Sequence, residues 1–338
     1  MPAPASVLVT GATGFLGGAL ARHLVAEGRQ VTGMGRRADA GAALARDGVA
    51  FVRAEGTDAD AVRRAVEAAD AVVHCAAIAA PWGRAADFMA ANVEATRIVA
   101  SACADAGRRL VHVSTPSVYF HLDDRVGVHE DDPLPATPVN LYAATKLVAE
   151  HVVQAHVAAR GLDALVVRPR AIYGEGDRTI FPRLIAALAT RRLPIVGDGQ
   201  NVVSVSYIGT VVNALVAGLD ADARWDGLVV NVADAEPVRL WDVIFRLCDR
   251  LGLPRPTRRV PVGVMLAAAG VVEAAQRRLR PDVEPTLTRY GVGVLGRSQT
   301  LSTARLRARI GPQVWQVGPD EGFERFARWW ERDGQRPA

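Results

Sequence analysis

The chain has 338 residues, with 50% hydrophobic and 22% charged residues and a net charge of +4. That is enough apolar material for one large domain or two intertwined ones. The basic residues are balanced by 36 Asp and Glu without a dense basic stripe, which argues against a nucleic-acid partner. The three cysteines, Cys75, Cys103 and Cys248, lie far apart without metal-ligand spacing, so no metal site is expected and a reducing compartment fits.

In chain order, β-rich runs near Val7–Thr10, Gln30–Met34, Ala50–Arg53, Ala71–Cys75, Leu110–Ser114 and Leu165–Arg168 alternate with helical stretches. These stretches fall near Phe15–Glu27, Ala59–Ala68, Ala85–Ala106 and Leu141–Arg160. The alternation predicts βαβ units on a parallel sheet, each helix long enough for a crossover. After Arg168-Pro169 the rhythm breaks into Gly, Pro and Asp-rich loops around Gly174–Asp177 and Gly197–Gln200. A further strand is expected at Leu228–Val232, with helices at Leu240–Leu251 and Val262–Leu279. No internal repeat is found.

The fold class predicted is α/β: a Rossmann-type, doubly wound parallel sheet with a smaller, intertwined C-terminal substrate-binding region. Residues 1–172, with a return segment near 201–234, form the dinucleotide-binding part. Residues 173–200 and 235–332 form the substrate region, and 333–338 an unstructured tail. The start Met1-Pro2-Ala3-Pro4 shows no basic n-region or cleavage site, so the cytoplasm is the expected location. The apolar run Val260–Val272 is interrupted by Pro261 and falls short of the ~20 residues that span a bilayer. Followed by Arg277, Arg278 and Arg280, it reads as a substrate-pocket wall, with a membrane-surface helix as the alternative.

The first strand ends in Thr10-Gly11-Ala12-Thr13-Gly14-Phe15-Leu16-Gly17 and a helix starts at once. Glycines at 11, 14 and 17 permit a tight turn, a close approach to a pyrophosphate and close helix packing; the helix start supplies N–H groups and positive dipole. In Val31-Thr32-Gly33-Met34-Gly35-Arg36-Arg37, glycine stands where an acid would bind a ribose 2′-hydroxyl, and two arginines follow. This favours NADP(H) over NAD(H).

One lysine stands among the 40 Lys and Arg residues: Lys146. Tyr142 lies four residues before it, on the same face of a predicted helix. An ammonium is compact and its pKa moves readily, unlike that of a guanidinium. A compact cation under a phenol is expected to draw its pKa down toward neutrality, making it a proton donor and acceptor at working pH.

The glycine loop, Tyr142-Ala143-Ala144-Thr145-Lys146 and Val113-Ser114-Thr115-Pro116-Ser117-Val118-Tyr119 together resemble the extended short-chain dehydrogenase/reductase family over nearly the whole chain. His74-Cys75-Ala76-Ala77, Asn92–Thr96 and Arg168–Gly174 also look like its cofactor-lining segments. The resemblance implies Thr115, Tyr142 and Lys146 as the catalytic group, with Ser114 and Ser117 as lower-ranked hydroxyls. Thr115 would bond the substrate carbonyl, Tyr142 pass the proton, and Lys146 hold the nicotinamide ribose and depress the phenol. It also implies cofactor contacts at Gly11, Thr13, Gly14, Phe15, Leu16, Gly17, Arg36, Arg37, Ala76, Ala77, Asn92, Pro169 and Ile172, with Asn92 chiefly a scaffold. Two departures stand out. The adenine-reading acid is Glu55, one methylene longer than usual, and Gly209 replaces an aspartate ahead of a helix, leaving Thr210 as the expected N-cap.

Within the family, Ala80-Pro81-Trp82-Gly83, Ser114–Val118 and Arg168–Arg170 look closest to the 3β-hydroxysteroid dehydrogenase-like branch, which includes reductases of 2-alkyl-3-oxoalkanoates. This implies a hydrophobic ketone or alcohol, a β-keto acid or steroid-like molecule, with Trp82, Ser117 and Tyr173 near the pocket and Arg170 meeting a carboxylate. A nucleotide-sugar epimerase or dehydratase with tightly bound NAD is the alternative enzyme, and a non-enzymatic NADP(H) sensor the alternative class. A homodimer through Ala85–Ala106 and Leu141–Arg160 is expected.

Overall fold

The computed structural model describes residues 3–334. Seven strands build the main sheet: β1 (Ser6–Thr10), β2 (Gln30–Gly35), β3 (Ala50–Arg53), β4 (Ala71–His74), β5 (Arg109–Val113), β6 (Ala164–Pro169) and β7 (Leu228–Val232). Their order is β7-β6-β5-β4-β1-β2-β3, and every neighbouring pair is parallel. A parallel sheet must be covered on both faces, and the strand sequences alternate accordingly between two cores. Val7, Val9, Val73, Val111 and Leu165 pack against α1 (Phe15–Ala26) and a helix at Ile208–Asp220. Leu8, Val72, Leu110 and Val166 face α3 (Ala59–Glu67), α4 (Ala95–Ala106) and α5 (Leu141–Arg160). A further helix, α2 (Ala38–Arg46), precedes β3. The chain runs outward from β1 through β2 and β3, then returns to lay β4 on the other side of β1. The crevice above β1 and β4 is therefore the topological switch point, where open α/β sheets bind their ligands.

The predicted helix over 85–106 is not continuous. A single turn at Ala85–Phe88 passes into a wider π-type turn at Met89–Glu94 before α4 begins. Such turns recur at functional sites, and this one carries Asn92, buried and bonded to the loop after β4.

Helix α6 (Ile180–Ala189) opens the second region, α7 (Ile208–Asp220) returns to cover the main sheet, and α8 (Leu240–Leu251), α9 (Val262–Leu279), α10 (Arg289–Gly296) and α11 (Pro319–Trp329) complete the second region. It is stitched to the first by a four-stranded sheet in which Val202–Val203 lies between Val238–Arg239 and Gln299–Leu301, with Arg125–Val128 at the edge. Helix α9 turns Met265, Leu266 and Ala269 inward onto a core around Trp241 and leaves Val264 and Val271 59% and 71% exposed, so its inward side is spent on that core and not on the expected pocket wall. Among the described residues no helix is long and apolar enough to cross a membrane.

Two expectations are corrected. Thr210 does not cap α7, which begins at Ile208; its hydroxyl instead donates to Asp234 Oδ1 at 2.9 Å. Asp234 also accepts from the Tyr207 backbone N–H at 2.9 Å, so an acid just beyond β7 serves the helix start that Gly209 cannot. Asp333 and Gly334 belong to a helical turn at Trp330–Gly334 and not to a loose tail, while 335–338 lie outside the described residues.

Candidate active site

The glycine loop sits at the switch point. Gly11 has φ +67°, and a Cβ there would stand 2.7 Å from the Ala76 backbone nitrogen. A Cβ at Gly17 would lie 2.4 Å from the Gly11 carbonyl oxygen, so these two glycines let β1, α1 and the loop after β4 meet. Helix α1 starts at Gly14 with no side-chain cap and no acid in its first turn. By contrast, α3 and α5 are capped by Asp58 and Asn140. An uncapped twelve-residue helix with free N–H groups at the switch point suits the diphosphate of a dinucleotide.

Across the crevice, α5 opens with Asn140, whose Oδ1 accepts from the Ala143 N–H at 2.9 Å and sets the first turn. Tyr142, Lys146 and Glu150 then share one face of α5. Of the three hydroxyls after β5, Thr115 is the one bonded to the Tyr142 phenol. Ser114 instead donates to Glu150 Oε1, and Ser117 Oγ lies 3.3 Å from the Tyr290 hydroxyl. The Thr115 Oγ1 also accepts from the Ser117 N–H at 3.1 Å, which fixes its rotamer toward the phenol.

Lys146 is 1% exposed. Its Nζ donates to the Val113 carbonyl at 2.6 Å and lies 3.2 Å from His112 Nε2. Burial pushes the ammonium down to about 8, against the pull of Glu150 and Cys75. The phenol behaves opposite to expectation: burial raises Tyr142 to about 12, with the Thr115 hydrogen bond opposing and Tyr290 adding to the rise. The lysine is not among the groups acting on it; its ammonium is held by the Val113 carbonyl and His112. Tyr142 is thus a protonated donor throughout the neutral range.

Beneath this pair runs a polar layer that was not anticipated from the sequence. Thr10, His74 and His112 stand in register across β1, β4 and β5. His74 lies 2.7 Å from Thr10 Oγ1 and 3.1 Å from Thr96 Oγ1, and its ring stacks on His112 with centroids 5.4 Å apart. Burial, reinforced by the Lys146 charge, holds His74 down to about 3 and His112 well below the ordinary histidine value. With the ammonium donating to Nε2, His112 carries its proton on Nδ1, a buried atom without a partner among the described residues. Glu150 pairs with Arg168, Nε to Oε1 at 2.8 Å, and Arg168 stacks on Tyr119 with its guanidinium 4.6 Å from the ring centroid. The signals were present: Glu150 is four residues past Lys146, His74 ends the apolar run Ala71–His74, and His112 interrupts Leu110–Val113.

The remaining predicted residues divide. Arg36 and Arg37 are exposed at the end of β2, and Arg37 Nη2 donates to the Thr13 carbonyl at 2.8 Å, so its guanidinium stands over the glycine loop. Phe15 and Leu16 open α1, Glu55 is exposed after β3, and Ala76 and Ala77 line the loop after β4. Asn92 accepts from the Ile78 N–H at 2.7 Å and donates to Thr145 Oγ1 at 3.0 Å, clamping that loop to α5. Pro169 ends β6, and Ile172 pairs with Ser206 in a short parallel ladder. Trp82 is anchored to the end of α9 by a 2.6 Å bond to the Pro281 carbonyl, with Arg277 over its ring. Tyr173 is corrected from pocket wall to core. It is 1% exposed, stacks on Phe323 at 4.4 Å, and spends its hydroxyl on Asp234 at 3.0 Å. Arg170 is corrected too: buried, it donates from Nη2 to Gln299 Oε1 at 2.7 Å, and the recess beside the pair has room for about one water and none for the expected carboxylate. Tyr290 and Gln299 join the site from more than a hundred residues downstream of Tyr142, with no local motif to announce them.

Comparison with known proteins agrees with this geometry. The profile of the family described as NAD dependent epimerase/dehydratase matches residues 7–233. A 2-alkyl-3-oxoalkanoate reductase of Stenotrophomonas maltophilia is 34% identical, over 95% of this chain and 98% of that protein. A 4-hydroxy-2-methyl-3-oxo-4-farnesyl-3,4-dihydroquinoline-1-oxide ketoreductase of Stigmatella aurantiaca is 32% identical, over 90% of each. Among solved structures, the dTDP-glucose 4,6-dehydratase of Streptomyces venezuelae with NAD bound superposes with a TM-score of 0.74 at 25% identity, covering 97% of both chains. The chain therefore belongs to the NAD-dependent epimerase/dehydratase family, the extended short-chain dehydrogenase/reductases, and is an NAD(P)-dependent oxidoreductase.

Proposed function

We propose that this chain interconverts a ketone and a secondary alcohol on a hydrophobic substrate, a β-keto acid or steroid-like molecule, with NADP(H). The observation that carries the reading is the Thr115–Tyr142 hydroxyl pair at the carboxyl edge of the sheet, facing the uncapped start of α1. When bound, the cofactor supplies or accepts the hydride. Gly11, Thr13, Gly14, Phe15, Leu16 and Gly17 would hold its diphosphate, and Lys146 its nicotinamide ribose. Thr115 and Tyr142 hydrogen-bond the carbonyl oxygen and polarise it; Tyr142, protonated at neutral pH, gives its proton to that oxygen as charge develops there. In the reverse direction the phenol must first lose its proton, so oxidation favours alkaline conditions.

The preference for NADP(H) is supported by Gly35, Arg36 and Arg37. No acid ends β2, and neither guanidinium has a carboxylate partner among the described residues. The nucleotide-sugar reading has the likeness to the NAD-bound dehydratase in its favour. Against it stand these arginines. Helices α4 and α5 pack side by side, and Val148 on α5 is 41% exposed, in keeping with a homodimer through these helices.

The test is NADPH oxidation by the purified protein over hydrophobic ketones, with Tyr142→Phe as control. Turnover by the native chain, lost in the variant while NADPH still binds, is the expected result. A protein that carries NAD and oxidises no added NADPH with any such ketone would be the sugar enzyme instead, and full activity of the variant would remove Tyr142 from its role.

A further inference from the structure

Helix α9 is apolar on both of its sides, and only one of them is covered. The inward side is spent on the core around Trp241. Of its eighteen residues, only Ala269 and Glu273 are buried. On the opposite side Val264, Ala268, Val271, Ala275 and Leu279 follow at spacings of three and four, which aligns them in one stripe along about 22 Å of helix. All five are exposed, Leu279 by 78%. The exposed residues from Gly263 to Ala275 include no polar side chain. A helix that faces water ordinarily turns charged residues outward, and one that is apolar all round is ordinarily covered.

Charge indicates what covers it, because both ends of the stripe are basic. Arg258 and Arg259 precede the helix, and Arg259 pairs with Ile195, so the exposed Arg191 and Arg192 arrive at the same end. Arg278 and Arg280 are exposed at the other end. Against these arginines stand Asp198 and Asp282, since Glu273 is buried against Arg289 at 3.0 Å and Glu284 pairs with Arg183 at 3.2 Å. Two copies of the chain packed through the stripe would set arginine against arginine whichever way the helices ran. Anionic headgroups neutralise both ends at once, and acyl chains accept valine and alanine without matching their shape. The stripe also borders the candidate active site. Trp82, on the loop after β4, donates to the Pro281 carbonyl at 2.6 Å, and Glu273 accepts at 2.7 Å from the N–H of Arg289, the residue before Tyr290.

We propose that the outward side of α9 docks on a membrane surface containing anionic lipid, its valine and alanine stripe entering the headgroup boundary and the arginines at its ends meeting the lipid phosphates. The helix then lies on the bilayer without crossing it. Docked in this way, the chain holds the edge of its active site against the membrane. The proposal stands apart from the ketone-reductase reading, because its test reads lipid binding and not turnover.

The experiment is co-sedimentation of the full chain with vesicles of phosphatidylcholine alone and of phosphatidylcholine mixed equally with phosphatidylglycerol. The native chain is compared with Val264→Gln/Val271→Gln and with Arg278→Gln/Arg280→Gln, and thermal unfolding checks that each variant folds. The native chain should bind the mixed vesicles at least about tenfold more strongly than phosphatidylcholine alone, and added salt should weaken the binding. On the mixed vesicles the valine variant should bind about tenfold more weakly than the native chain, and the arginine variant about 25-fold more weakly. Failure of the native chain to bind mixed vesicles, equal binding to the two vesicle types, or unchanged binding in either folded variant overturns the docking. If one variant fails to fold, the other and the comparison of the two vesicle types decide. Sedimentation velocity without lipid covers the remaining occupant: a native assembly larger than that of the valine variant, with no vesicle binding, assigns the stripe to a second copy and overturns the proposal.

Discussion

Replacing Lys146 by arginine is the sharpest perturbation of this chain, because every other basic Lys or Arg position is already arginine. The ammonium is 1% exposed and held between the Val113 carbonyl at 2.6 Å and His112 at 3.2 Å. At about 1.4 kcal/mol per factor of ten, its fall from 10.5 to about 8 means that burial disfavours the charged lysine by about 3 kcal/mol. Arginine cannot shed its charge and is bulkier, adding overpacking strain of about 1–3 kcal/mol. At pH 7 the native lysine is still charged and bears the same burial cost, so Lys146→Arg should lose only the overpacking strain, about 1–3 kcal/mol and several degrees in Tm. At pH 9.5 the native chain has shed its proton, and the variant should lose about 2 kcal/mol more. Lys146→Met removes the buried charge and forfeits two hydrogen bonds, so it should stay within about 2 kcal/mol of the native protein. The sign with pH follows. The unfolded chain keeps this proton up to about 10.5 while the folded one releases it near 8, so native stability gains from pH 8 to 10.5, and Lys146→Met lacks that gain. Denaturant unfolding at pH 7 and 9.5 measures all three proteins. Equal stability of Lys146→Arg and the native protein would refute the reasoning, since it would mean an exposed lysine.

Further outcomes follow from the same layer of polar residues. His74 remains neutral in the fold down to about pH 3 but takes a proton in the unfolded chain below 6.5, so stability should fall by up to about 4–5 kcal/mol between those values; His74→Gln should flatten this acid limb in urea titrations. Glu150→Gln leaves Arg168 buried without its partner and should lose about 3–5 kcal/mol, while Glu150→Leu with Arg168→Met should recover most of it, as read by thermal unfolding. Removing both guanidiniums by Arg36→Ala and Arg37→Ala should weaken NADPH at least tenfold more than NADH in fluorescence titrations; equal losses would sink the preference. Alcohol oxidation should climb about tenfold per pH unit from 6.5 to 9 as the phenol of Tyr142 is drawn toward ionisation, whereas ketone reduction should not rise.

Much of the fold was legible because it is written in local pattern. The parallel strands are short apolar runs, and helices at Leu141–Arg160, Leu240–Leu251 and Val262–Leu279 appear where the periodicity put them. The π-type turn at Met89–Glu94 was not, since it exists to aim one buried side chain, Asn92, at a distant backbone. Tyr173 misled for a similar reason: an aromatic in a cofactor-lining segment carries no local sign of whether its ring faces a crevice or Phe323.

The sequence by itself determined that a glycine turn joins the first strand to a helix, that Tyr142 and Lys146 share a helical face, and that strand and helix alternate into a parallel sheet. These are consequences of spacing, since periods of two and 3.6 residues and the conformational freedom of glycine act within a few residues. Only the tertiary structure decided which hydroxyl meets the phenol, which way the lone ammonium points, and that Arg170 is buried with no acid to face it. Those outcomes depend on groups brought together from β5, α5, β6 and the segment around Gln299, and on how much water their packing excludes. Charge and solvation act through space, and no local pattern along the chain records them.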